Sequence, residues 1–162
     1  MNIELKKKNI LKVDKFQFKC CIGAKGLKNN KIEGDLSTPK GKFKLKKLFY
    51  RSDRKEKISC KFNTIKIKNY MGWCDDPKSK YYNSLVKNNK KIKCEKLFRK
   101  DYLYDFFIEI DHNKKKIPYA GSAIFIHLTK NYRPTKGCIA LKEKDFRILL
   151  KLVKKSTYLK IF

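Results

Sequence analysis

The sequence predicts a mainly β fold, a β-rich α+β domain with one main helix near the C-terminus. Three observations predict it. Short segments alternate apolar and polar residues with a period of two. Turn residues separate those segments at close intervals. Only one stretch repeats its apolar residues with the period of a helix. In order along the chain, residues 1 to 25 alternate at Ile3 and Leu5 and again at Phe16, Phe18, Cys20 and Ile22, which reads as two strands of a hairpin. Gly23, Gly26, Asn29 and Asn30 mark a loop, and Asp35 to Gly41 a turn whose backbone Pro39 fixes. Phe43, Leu45, Leu48 and Tyr50 begin another strand, and Ile65 and Ile67 alternate again. Gly72 to Lys80 reads as a loop with Asp76-Pro77 as its turn. Tyr102 to Ile110 and Ala123 to His127 are strongly strand-like. Phe146, Leu149, Leu150 and Val153 recur at helical spacing. Glu143 and Asp145 at the start of that helix and Lys154 and Lys155 at its end suit its dipole. Thr157 to Ile161 closes the chain as a short strand.

The chain has 162 residues, a length that suits one domain spanning 1–162, and no repeat or linker interrupts it. Hydrophobic residues make up 41%, enough for a core, which excludes a disordered chain. The net charge of +28 invites a nucleic-acid reading. Yet 38 of the 43 basic residues are Lys, scattered from Lys6 to Lys160, and only Arg51, Arg54, Arg99, Arg133 and Arg147 are Arg. Readers of base edges favour arginine forks, so this is solvated surface charge and no nucleic-acid partner is expected. A basic surface still favours an anionic wall or membrane face. The six cysteines show no zinc spacing, and no metal is expected. Cys20 and Cys21 are adjacent and point to opposite faces of a strand, so they do not bridge each other. The opening MNIELKKKNILKV lacks the apolar core of a signal peptide, and no apolar run approaches the length of a membrane span.

The segment Gly121 to Leu141 carries the chemistry. It holds His127 and Cys138, eleven positions apart, each beside an apolar run, with Gly137 just before the Cys. A thiol is a good nucleophile only as thiolate, and a nearby imidazole is the usual means of making it one. Gly137 permits close approach of a substrate and leaves the following N–H groups free for a developing oxyanion. The bland alternative is a buried Cys after a turn and a core His. Trp73 is either a wall of a substrate site or a core anchor under a loop. Asp75 and Asp76 read as solvated turn residues rather than metal or acid–base groups. Asp105 either pairs with a buried base or faces water. His112, in a polar turn-like stretch, reads as a surface residue.

Pro134-Thr135-Lys136-Gly137-Cys138-Ile139-Ala140-Leu141 with His127 upstream is one of several segments that share a common pattern. The others are Glu33 to Phe43 (EGDLSTPKGKF), Tyr50 to Arg54, Gly72 to Pro77 (GWCDDP) and Gly121 to His127. In this order they resemble the L,D-transpeptidase (YkuD-domain) family, in a compact single-domain branch. The resemblance implies a mixed-sheet sandwich and an activity on peptidoglycan stem peptides. In that family a Cys attacks the carbonyl of an L-residue and passes the acyl group to an amine of a neighbouring stem. Carried over by position, Cys138 is the nucleophile, His127 the base, and Gly137 and Cys138 supply N–H groups to the oxyanion. The carbonyl of Leu128 takes the place of a third catalytic residue. Thr135, Lys136, Arg133, Arg54 and Trp73 become candidate substrate-binding residues. No metal or organic cofactor is implied, the partners are stem peptides, and the place of action is the cell envelope or periplasm. Three departures stand out. Lys136 replaces the His that usually precedes the Gly-Cys pair. The His127–Cys138 gap is shorter than usual, which trims one wall of the pocket. Ala140 replaces a common Arg, so a carboxylate contact falls to Lys136, Arg133 or Arg54. Two other functions stay open beside the transpeptidase: an L,D-endopeptidase or carboxypeptidase using water, and a basic non-catalytic module that binds cell wall or nucleic acid.

Overall fold

The computed structural model describes residues 2–6, 9–88 and 90–162. Among them the elements are β1 (Asn2–Lys6), β2 (Ile10–Val13), β3 (Phe16–Cys21), β4 (Leu27–Lys28), β5 (Thr38–Pro39), β6 (Gly41–Tyr50), β7 (Thr64–Lys66), β8 (Met71–Cys74), β9 (Leu85–Lys87), β10 (Cys94–Lys96), β11 (Phe106–Ile110), β12 (Phe125–Leu128), β13 (Ile139–Leu141), α1 (Glu143–Leu152) and β14 (Tyr158–Ile161). The β-rich class with a single C-terminal helix therefore holds. Nine strands run in the order β11-β12-β13-β3-β2-β1-β14-β6-β7, and β6 also pairs with β11, so the sheet folds back on itself. The turning point is β6. Its first residues pair with β14, and Leu45 to Tyr50 pair with β11 across a register shift at Ile108/Ile110. On the other side β3 does the same, pairing with β2 and then, through Cys20 and Cys21, with β13. Parallel pairs (β1/β14, β12/β13, β6/β7) mix with antiparallel ones in this two-layer sandwich.

Strand alternation sorts the side chains into two cores. Ile108 of β11, Ile126 and Leu128 of β12, and Ile139 and Leu141 of β13 face inward onto Ile3, Leu5, Leu11, Val13 and Leu159. Phe146, Leu149, Leu150 and Val153 of α1 close this core, with Phe146 stacked on Phe106 at 6.1 Å. The opposite face of β11–β13 carries Phe107, Phe125 and, just ahead of β13, Cys138. A three-stranded sheet, β10-β8-β9, roofs that face. Trp73 of β8 presses edge-on against Phe49 and Phe125, at 6.4 and 5.1 Å.

Four expectations change. The N-terminal hairpin is a three-strand meander, because Leu11 and Val13 form β2, joined to β3 by a tight turn in which Asp14 adopts φ +50°. Tyr102 to Asp105 is a turn, and the strand starts at Phe106. Asp101 Oδ1 accepts the Leu103 N–H at 3.1 Å and the Asp105 N–H reaches the Tyr102 carbonyl at 3.0 Å, local bonds that compete with a sheet ladder. Gly72 to Cys74 belongs to β8 rather than to a loop. Gly72 suits it because Cys94 Sγ lies 2.5 Å from where a Cβ would stand. His112 is half-buried rather than superficial. Its Nε2–H donates to the Ala120 carbonyl at 2.8 Å, and its ring meets Phe43 edge-on at 5.6 Å.

Candidate active site

The parallel pairing of β12 with β13 brings the two ends of the His–Cys segment together. Ile126 lies opposite Ile139 and His127 opposite Ala140. Cys138, one residue earlier, falls at the level of Phe125, whose N–H donates to its Sγ at 3.4 Å. Phe125 and His127 share a face by strand alternation, so Cys138 and His127 are diagonal neighbours on the outer face. Both line one cleft of about 730 Å³.

Each side chain of the candidate pair is held by backbone. The Cys138 thiol donates to the Ala123 carbonyl at 3.2 Å. Ala123 itself sits at φ +53°, a conformation unfavourable to a residue with a Cβ. The His127 Nδ1–H donates to the Leu128 carbonyl at 2.7 Å, which leaves Nε2 without a proton and able to act as a base. The Tyr104 ring meets the imidazole edge-on at 5.2 Å, and its hydroxyl donates to Glu95 Oε1 at 2.6 Å. Arg99 lies over the Tyr104 ring at 5.0 Å and pairs with Asp101. Burial dominates the electrostatics. It lowers the His127 pKa to about 4, against the smaller upward pull of the Leu128 carbonyl, with Arg99 adding to the depression. Burial, with the Glu95 carboxylate nearby, pushes the Cys138 thiol up to about 12. Thiol and imidazole are thus both neutral at pH 7, and no hydrogen bond joins them among the described residues.

The loop before Cys138 is fixed by two threonines. Thr135 Oγ1 accepts the Gly137 N–H at 3.1 Å and donates to the Cys138 carbonyl at 2.6 Å. Thr38 Oγ1 donates to the Gly137 carbonyl at 2.7 Å and accepts the Gly23 N–H at 2.9 Å. Gly137 adopts φ +147°, and a Cβ there would stand 2.8 Å from the Ser37 carbonyl oxygen. The EGDLSTP segment therefore packs directly onto the GC pair. Asp35 organises that segment by accepting the N–H groups of Ile32 and Ser37, at 2.9 and 3.0 Å, and by pairing with Lys31. Burial opposes ionisation of its carboxyl, yet Lys31 and these donors hold it well below the usual carboxylate range.

Of the residues singled out in the sequence, Cys138, His127, Gly137, Lys136, Thr135 and Arg133 line the cleft, with Lys136 and Arg133 exposed at its rim. Two do not. Trp73 is 6% exposed and sits in the core beneath the site, with Nε1–H donating to Asn83 Oδ1 at 2.9 Å. Arg54 lines a separate hollow and clamps the turn before β11, donating to Asp105 Oδ1 at 3.1 Å and to the carbonyls of Asp101 and Lys100. The Gly137 N–H, expected to face the oxyanion, is occupied by Thr135, whereas the Cys138 N–H is free of turn and loop hydrogen bonds among the described residues. Sequence reasoning missed Lys31, Glu95, Arg99, Tyr104 and Ser122 in the cleft. They come from separate loops, and nothing in their spacing links them to Cys138. No group of three or more potential ligand side chains among the described residues is placed to hold a metal ion.

Comparison with curated proteins finds no significant sequence match. Among solved structures, two of the helical cell shape determining protein Pgp2 from Campylobacter jejuni, one carrying the K307A mutation, are similar at 18% identity with TM-scores of 0.49 and 0.48. The alignments cover 99% of this chain and 46% of theirs, so the chain spans less than half their length. The sequence model of the L,D-transpeptidase catalytic domain aligns with the cleft segments and nearly everything around them. Matched from residue 4 to residue 161 of its 162, the chain belongs to the L,D-transpeptidase catalytic-domain (YkuD) family.

Proposed function

We propose that this protein is a cysteine-dependent acyltransferase of the cell wall that acts on peptidoglycan stem peptides. One observation carries the reading: Cys138 and a His127 whose Nδ1–H is fixed on the Leu128 carbonyl stand on one face of one cleft. Family membership supports the substrate class, and a surface of net charge +28 suits contact with an anionic wall.

The free protein holds a neutral thiol and a neutral imidazole, so activation accompanies substrate binding. The thiol leaves the Ala123 carbonyl and turns toward His127 Nε2. Sγ forms a bond to the carbonyl carbon of an L-residue while its proton passes to Nε2. The Cys138 N–H meets the oxyanion. The C–N bond then breaks, the leaving amine takes the proton from Nε2, and a thioester remains on Cys138. An acceptor amine attacks the thioester, gives its proton to Nε2, and the departing thiolate recovers it. Water in place of the amine gives hydrolysis of the same thioester. Because burial alone makes the free thiol slow, its alkylation rate does not separate an enzyme from a binding module. Acylation by substrate does.

Intact mass after incubation with defined stem peptides, beside Cys138→Ala, tests the reading. A thioester adduct on the wild type alone supports it. Cross-linked product in the presence of an acceptor stem identifies a transpeptidase, and shortened peptide without one identifies a hydrolase. Neither adduct nor product overturns the reading in favour of the binding module.

A further inference from the structure

The roof over the cleft holds two thiols in direct register. In the three-stranded sheet, Cys74 of β8 lies opposite Cys94 of β10, and both thiols are free. The pair is of the closer, non-hydrogen-bonded kind. The Cys74 N–H donates to the Ser84 carbonyl at 2.9 Å and its own carbonyl accepts the Asn83 N–H at 2.9 Å, so both backbone groups are turned away from β10. The β8 groups that face β10 belong to the alternate residues, and there the Met71 carbonyl accepts the Leu97 N–H at 3.1 Å. Opposed residues of such a pair have Cα atoms about 4.5 Å apart, inside the range of roughly 4.4–6.8 Å that a disulfide spans.

Alternation puts both thiols on the outer face of the roof, opposite Trp73 and Glu95, themselves register partners. Cys94 Sγ shows its side directly: it lies 2.5 Å from where a Cβ of Gly72 would stand, two residues before Cys74. Cys74 is fully buried and Cys94 half-buried, so a dissolved reagent meets Cys94 first. The Cys94 thiol donates to Asn88 Oδ1 at 3.5 Å, a long contact that a turn about χ1 releases. Burial raises the Cys94 pKa, and the neighbouring Asp75 carboxylate and Cys74 thiol raise it further. Among the described residues no other two cysteines face each other in a strand pair; Cys20 and Cys21 lie opposite Leu141 and Ala140.

We propose that Cys74 and Cys94 are a site of oxidative modification, closing a disulfide that clamps β10 to β8 above the cleft. The oxidant is a small-molecule disulfide. The Cys94 thiolate attacks one of its sulfurs and releases the other half as a thiolate. Cys74, deprotonated in turn, attacks Cys94 Sγ of the mixed disulfide and releases the second half. The pair loses two electrons and two protons, and the reagent leaves as two thiols. β10 has three residues and lies at the edge of its sheet. Its Glu95 accepts the Tyr104 hydroxyl, and the Tyr104 ring meets His127. A covalent tie one residue from Glu95 therefore holds the roof over the candidate pair. The tie forms whatever reaction the cleft performs.

The full chain is incubated with oxidised glutathione at mildly alkaline pH, where more of the Cys94 thiol is ionised, and quenched with acid. Intact mass, peptide mapping without reductant and thermal unfolding are then read on wild type, Cys94→Ser and, as control, Cys60→Ser. Wild type and Cys60→Ser are expected to lose the mass of two hydrogens and to yield one peptide pair joined through Cys74 and Cys94. Their Tm is expected to rise by about 5 °C, a gain that reductant reverses. Cys94→Ser is expected to show none of these changes. No joined peptide, a glutathione adduct that persists on Cys94, or a joined peptide without the rise in Tm overturns the clamp. The same loss of two hydrogens in Cys94→Ser overturns it too. If Cys94→Ser does not fold, the peptide map and Tm of wild type decide alone.

Discussion

The two faces of strands β11 to β13 are made by the same alternation and serve different ends. Inward, Ile108, Ile126, Leu128, Ile139 and Leu141 are all fully buried and purely apolar. Outward, Phe107 and Phe125 are as deeply buried, yet they share their face with His127 at 7% and Cys138 at 9% exposure. The inner face is closed by strands of the opposite layer and by α1, the outer one by three short strands and loops. A polar group survives on the outer face only because each finds a partner: His127 the Leu128 carbonyl, Cys138 the Ala123 carbonyl, Tyr104 the Glu95 carboxylate. The difference teaches that the candidate pair stands in an almost dry site. Burial lowers the His127 pKa and raises that of Cys138, so both side chains are neutral at pH 7.

The sharpest way to break this contrast is to remove one residue from each face. Cys138→Ala is expected to lower turnover at least about 10⁴-fold, since no other thiol lines the cleft among the described residues. Its stability is expected to stay within about 1 kcal/mol of wild type, measured by urea unfolding. Ile126→Ala, one residue before the His, is expected to do the opposite. It leaves a cavity in the fully buried core and lowers stability by about 3 kcal/mol, a fall in Tm of roughly 10 °C. Turnover of the folded protein at low temperature should change little. Loss of turnover in a folded Ile126→Ala would mean that the two faces are not separable.

The inner face was the legible one. Alternation at Phe43 to Tyr50 and the helical repeat from Phe146 to Val153 predict buried stripes, and burial follows whatever covers them. Cys138 and His127 were legible because local motifs surround them. Their diagonal placement needed the parallel β12/β13 pair, which spacing does not encode. The roof was not legible. β8, β9 and β10 have four, three and three residues, too few to show a period, and Gly72 reads as a loop residue until Cys94 is seen packed over it. Arg54 shows the limit of reasoning from charge alone. Its guanidinium is committed to the turn before β11, where Asp105 and two carbonyls take it up.

Acid tests how dry the outer face is. The unfolded chain takes up a proton at His127 near the ordinary pKa of 6.5, the folded one only near about 4. Between these values the unfolded state binds more protons, so stability rises with pH and is lost as pH falls from 6.5 toward 4, by up to about 3 kcal/mol. Urea unfolding at several pH values across this window measures the slope, and His127→Gln is expected to flatten it. A slope unchanged by the substitution would assign the acid sensitivity to carboxylates such as Asp35, whose depressed pKa also removes stability at lower pH.

The smallest expected effect concerns the join between the two motif segments. Thr38 is fully buried, and its hydroxyl donates to the Gly137 carbonyl while accepting the Gly23 N–H. Thr38→Val keeps the shape and deletes both bonds, leaving a buried N–H and a buried C=O unpaired. Each unpaired group costs about 1 kcal/mol or more, and relaxation of the loop recovers part of it, so a net loss of about 1–2 kcal/mol is expected. The loop that relaxes is the one that aims the Cys138 N–H and Sγ, so kcat should fall by about tenfold, the scale of a displacement at a reacting group, with KM less affected. Thr38→Ser restores the hydroxyl and should recover most of kcat even though it removes a buried methyl. If Thr38→Val loses stability while kcat is unchanged, Thr135 alone positions the Gly137-Cys138 pair. The EGDLSTP segment would then serve the fold rather than the chemistry.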